Sequence, residues 1–146
     1  MKAGDIVRRI THSGTLVGAY YMVHKAKSNE LLASSPAGNK PVVLNKDEFV
    51  KIPQHILRVS KTTFEKVLNG LKVIEHKPSK SWDKVYNANG DGIINVYNVE
   101  LDQSLYFECS DVAKVLRTNI LGENRFGQIR QLQPLIRVKL KTRIWL

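Results

Sequence analysis

The stretch at residues 60–77, SKTTFEKVLNGLKVIEHK, constrains the fold most, because it holds a helix start, a helix stop and a charged strand in sequence. Thr62 with Glu65 three residues on has the form of a capping box, and Ser60 is a rival cap. Phe64, Val67 and Leu68 recur at i, i+3 and i+4, so they share one helical face. A helix this short forms only if that face is buried. Gly70 offers the positive φ that closes a helix. Val73 and Ile74 then carry the β-branched character of a strand, and Pro78 ends it. The expectation is a helix over 60–69 and a strand over 72–77.

The order Gly70, Lys72, Glu75, Lys77 resembles the G-x-K-x-x-E-x-R signature of the ASCH family, small β-barrels related to the PUA fold of RNA-modifying proteins. Lys77 stands where that family usually has Arg, which keeps the charge without the planar bidentate fork. The resemblance implies a barrel with a cleft that takes RNA or a modified nucleoside, lined by Lys72, Glu75 and Lys77. Some relatives are amidohydrolases of acylated nucleosides, in which the motif lysine works with a threonine three residues later. Here that position is Glu75. If the protein is an enzyme, Lys72 and Glu75 are its catalytic candidates. Regular alternation puts residues three apart on opposite faces, so those two meet only if the strand bends. Glu75 and Lys77 share a face and form the obvious ion pair.

Ahead of this motif, the first 52 residues read as about five short strands: one delivered by a turn within 2–10, then 16–24, 30–34, 42–44 and 49–52, with turns at 12–14 and 36–39. Their density, with the Gly-Asp-Ile-Val opening, resembles a small Src-homology-type barrel, and a simple sheet satisfies the same pattern. Tyr20 and Tyr21 cannot both face inward. Pro53-Gln54 is the expected joint, giving a domain over 1–52 and an ASCH/PUA-like domain over 53–146. The fold class is therefore mainly β with short helices (α+β): a small N-terminal barrel or sheet packed on a PUA-like barrel.

Beyond the motif, Trp82 lies among Lys80, Asp83 and Lys84 in what reads as a polar loop. It either covers the cleft and stacks on a base or plugs the barrel's end. Residues 87–92, NANGDG, form a turn. They lack the Lys-Ser/Thr ending of a phosphate loop, and no cofactor motif is read elsewhere. A hairpin follows over 93–101 and 105–109. Ser110 caps a second helix with Val112, Val115, Leu116 and Asn119 at helical spacing, and 111–132 as a whole reads as a loop-rich lobe hinged at Gly122 and Gly127. The connector is too long for a helix-turn-helix.

The cleanest alternation is at 135–146. Ile136, Val138, Leu140, Ile144 and Leu146 alternate with Arg137, Lys139, Lys141, Arg143 and Trp145, as in a strand with one apolar and one cationic face. Arg137, Lys139, Lys141 and Arg143 are candidate phosphate contacts, and the same charges would also protect an exposed edge from aggregation.

Charge bears on the choice of partner. Lys and Arg number 23 against 13 Asp and Glu, a net +10. The first 52 residues carry 8 basic and 4 acidic groups and the remainder 15 and 9, so both parts share the excess. This favours polyanionic partners: RNA or a single-stranded nucleic acid first, and an acidic protein surface as the alternative. One cysteine, Cys109, excludes an internal disulfide and reads as a packed thiol. Four scattered histidines give no metal-ligand spacing. No apolar run approaches the ~20 residues of a membrane span, and MKAGDIVRR lacks the apolar core of a signal peptide, so a cytoplasmic location is expected.

Overall fold

A computed structural model of the protein describes residues 1–36, 38 and 40–145, with the backbone alone for 119–121 and 124. Ala37 and Asn39 of the expected turn at 36–39, and Leu146 of the expected last strand, lie outside the described residues. The protein is mainly β with two short helices. It divides into two compact units, Met1–Gln54 with Ile144–Leu146, and His55–Arg143. Among the described residues, no helix is long and apolar enough to cross a membrane.

The first unit is one antiparallel sheet. Strands β1 (Ile6–Ile10), β2 (Leu16–Ala26), β3 (Glu30–Ser34), β4 (Val42–Asn45) and β5 (Phe49–Ile52) fall close to the five expected segments. Their spatial order is β4-β3-β2-β1-β5, a meander whose last strand returns beside the first. A single 3-10 turn, Lys46–Glu48, makes that return. Asn45 caps it by accepting from the Asp47 amide. Inward alternation gives a core of Val7, Val23, Leu31, Ala33, Leu44 and Phe49. Tyr21 leans edge-on against Phe49 at 5.7 Å, whereas Tyr20 lies under the Arg8 guanidinium at 4.9 Å, so the two tyrosines take opposite faces.

The second unit is a sheet in the order β6-β8-β9-β10-β7 with two helices. Its strands are β6 (Gln54–Arg58), β7 (Val73–His76), β8 (Ile93–Asn98), β9 (Gln103–Asn124) and β10 (Gly127–Arg143). Helix α1 (Lys61–Leu68) starts where expected, but its cap is Ser60, whose hydroxyl accepts from the Thr63 amide at 3.2 Å; the Thr62–Glu65 box is not used. Phe64 and Val67 are buried while Leu68 is 48% exposed, so the buried stripe is narrower than the spacing predicts. Gly70 takes φ +111°, and the Leu71 amide reaches back to the Lys66 carbonyl, which turns the chain into β7.

Two expectations fail in this unit. Trp82 is not in a loop: residues Lys80–Asn87 form helix α2, in which Trp82 and Val85 are buried. Nor does Ser110 cap a helix, because 110–119 belongs to β9, and the supposed loop-rich lobe is the paired β9–β10 hairpin turning at 124–127. Val112, Val115 and Leu116 suit either period. The hydrogen bonds offered by β10 decide for the strand, which suits β-branched side chains. The core joins Leu57, Phe64, Trp82, Phe107, Ile136 and Val138 between the sheet and both helices. Gly90, at φ +73°, is held close to β9. A Cβ there would come within 2.6 Å of Cys109 Sγ and 3.0 Å of Val112 Cγ2.

Candidate functional site

The expected alternation in β10 is present. Ile136, Val138 and Leu140 are buried, while Lys139 and Lys141 are exposed and Arg137 is half-buried on the other face. The strand stops at Arg143, so Ile144 and Trp145 do not continue it. Register then fixes what surrounds the cations. Arg137 stands opposite Glu75 of β7 and Ala113 of β9, and Lys139 opposite Val73 and Asp111. Further along the same face come the pairs Leu135–Val115 and Gln133–Arg117.

Glu75 therefore has a different partner from the one its neighbourhood in sequence offers. The Arg117 guanidinium donates to its carboxylate from Nε at 3.1 Å and also from Nη2, a two-pronged pair across the sheet. That hydrogen bonding, reinforced by the charges of Arg117 and Arg137 and opposed by partial burial, holds the Glu75 carboxyl below its ordinary range. Arg137 adds a buried Nε without a hydrogen-bond partner among the described residues.

The other motif residues do not gather around Glu75. Lys72 lies with its Nζ 4.9 Å from the ring of buried Phe107 and donates to the Lys141 carbonyl at 3.3 Å. The strand does not bend to bring Lys72 and Glu75 together: Lys72 reaches Phe107, a core residue, while Glu75 faces the Arg137–Arg117 side. Lys77 borders a shallow depression of about 400 Å³ floored by Pro78, Gln131, Leu132, Gln133 and Pro134. Trp82 is 2% exposed and stacks on His76 at 5.0 Å and 11°, so its ring is not offered to a ligand. The cleft implied by Lys72, Glu75, Lys77 and Trp82 is not assembled. Arg143 is half-buried at the end of β10. Cys109 is partly buried beside Gly90, and burial pushes its thiol up, which suits packing and opposes nucleophilic chemistry.

Sequence reading passed over the distal half of the β9–β10 hairpin. Strand β8 accompanies β9 only along Gln103–Glu108, and β7 accompanies β10 only at 136–139. Beyond those pairs the two strands run on as a ribbon with no third strand beside it among the described residues, for roughly 30 Å at ~3.4 Å per residue. The ribbon carries Arg117, Arg125 and Arg130 against Glu123. Arg125 lies 4.9 Å over the ring of Phe126, which is 84% exposed at the turn. Local pattern gave no signal for it: in QIRQLQ at 128–133 the apolar Ile129 and Leu132 stand three apart, which period-two alternation does not give, and the register shifts between Ile129 and Arg130.

Comparison with protein-family models, with curated proteins and with solved structures finds no match for this chain.

Proposed function

We propose that the protein binds nucleic acid through the outward face of β10 and the ribbon that continues it. The observation that carries this reading is the row Arg137, Lys139 and Lys141 at alternate positions of one strand. Such residues sit ~6.6–6.8 Å apart, a spacing at which several cations track a phosphate backbone. With Arg117 they set four cations against two acids, Glu75 and Asp111, so the face keeps a positive excess in a chain already at +10.

A polymer suits this surface better than a free nucleoside, because small-molecule sites are concave and convergent and the motif side chains point to different places. A hydrolase built on Lys72 and Glu75 loses support for the same reason: an acid–base pair must lie within hydrogen-bond reach. The ASCH resemblance contributes the helix–glycine–strand element, with no shared pocket.

The test is the salt dependence of binding. Labelled RNA and DNA, single-stranded and duplex, are titrated at several salt concentrations with wild-type protein and with the variant Arg137→Gln, Lys139→Gln, Lys141→Gln; Arg143 is left in place because it stands opposite the core residue Phe107. The slope of log K against log salt should fall by about 2–3, at ~0.7–0.9 per phosphate contact removed. An unchanged slope would leave these charges as the solvated face of an interior strand, which β9 and β7 flank at 136–139.

A further inference from the structure

We infer that the distal β9–β10 ribbon is an arm that enters a groove of duplex DNA, with Phe126 wedged against a base step at its tip and Arg125 and Arg130 on neighbouring phosphates. This rests on the nucleic-acid reading above and names both the form of the polymer and the element that engages it. A two-stranded ribbon without a third strand or a helix over it is marginal in water, yet this one holds Leu116 63%, Leu132 62% and Phe126 84% exposed. Exposure of that kind on a projecting element marks a surface completed by something else.

Shape and charge choose the occupant. A ribbon is convex, whereas single-strand binders present a groove lined with stacking aromatics. A two-stranded β-ribbon fits a groove of B-form DNA, while the deep, narrow major groove of A-form RNA does not admit side chains. An apolar side chain at the tip is the wedge with which groove-binding proteins unstack a base step and kink the duplex. A second copy of the chain fits poorly. Three arginines against one glutamate on each ribbon would repel across a twofold axis, and Pro134 lacks the amide that pairing along β10 requires. The arm is also continuous with the cationic face, since Gln133–Arg117 and Leu135–Val115 connect it to Arg137, and the Arg117–Glu75 pair fixes its base.

The experiment uses the full chain and a DNA duplex of mixed sequence carrying a fluorescent adenine analogue, alongside the corresponding single strand and RNA duplex. Wild-type protein should bind the DNA duplex most tightly and raise the analogue's fluorescence as a step unstacks. Phe126→Ala should weaken duplex binding by roughly tenfold and abolish the fluorescence rise. It should leave the salt slope unchanged, because no phosphate contact is lost. Phe126→Leu keeps an apolar wedge and should restore much of the signal. Phe126 is exposed, so an unaltered thermal transition will show that both variants fold. Wild-type binding to the single strand or RNA duplex as tight as to the DNA duplex, or full unstacking by Phe126→Ala, overturns the arm while leaving the cationic face standing. Failure of wild-type protein to bind any of the three overturns the parent reading.

Discussion

The two halves of the β9–β10 hairpin share one pairing scheme and differ in everything around it. At the base, β8 and β7 flank the pair and α2 lies against it, with Trp82 stacked on His76 and Lys114 4.6 Å over the Tyr86 ring. Val112, Ile136 and Val138 are buried there. Four residues further along each strand, the same ladder runs with Leu116 and Leu132 in solvent. A hairpin ladder by itself does not make a core. Burial comes from the elements laid over it, so the base is packed and the side chains Leu116, Phe126 and Leu132 of the distal ribbon are exposed.

The widest test of that contrast is a large-to-small change at the base. Phe107→Ala, at a ring 1% exposed, should cost ~3–5 kcal/mol in a urea melt; a cost under 1 would mean the base is no better packed than the ribbon. Next in size is Gly90→Ala. The added Cβ meets Cys109 Sγ at 2.6 Å and the backbone is at φ +73°, so a loss of ~1–3 kcal/mol is expected. The double variant Gly90→Ala, Cys109→Ala should recover part of this by removing the closest contact, while Val112 Cγ2 at 3.0 Å and the Cβ of residue 109 at 3.1 Å remain. Full recovery would show that the positive φ costs nothing.

The junction between the halves should respond to acid. Because the Glu75 carboxyl is depressed by Arg117 in the fold, the unfolded chain takes up its proton first as pH falls. The stabilisation is therefore complete above the ordinary carboxylate value, about 4.3, and is lost as pH drops through the lower folded value. Between about pH 5 and pH 3, wild-type stability should fall more steeply than that of Glu75→Gln. Parallel profiles would mean the pair does not persist in solution. The smallest effect belongs to the ribbon: Leu132→Ala, at a side chain 62% exposed, should change stability by no more than ~0.5 kcal/mol. A larger loss would show that something in the molecule already covers the ribbon.

The elements legible in advance were those whose signals are local. The five strands of the first unit follow from alternation and turn residues. Helix α1 and its stop at Gly70 follow from Phe64, Val67 and the glycine, although the cap is the rival Ser60 and not the Thr62–Glu65 box, and the buried stripe of β10 follows from strict period two. Each of these patterns lies within a dozen residues and admits one regular structure. Helix α2 was legible too, since Trp82, Val85 and Tyr86 stand at i, i+3 and i+4, but the surrounding lysines gave the stretch the look of a loop.

Other features depend on partners distant in the chain. Residues 110–124 have near-neutral propensity, and a strand won because β10 supplies its hydrogen bonds. Glu75 had Lys77 beside it in sequence, yet its carboxylate went to Arg117, 42 residues away, because register in an antiparallel sheet fixes which side chains face each other across strands. Lys72, Glu75, Lys77 and Trp82 are close in sequence and diverge in space for the complementary reason. Alternation sends neighbours to opposite faces, and α2 carries Trp82 into the core, so a motif written in one short stretch did not become a pocket.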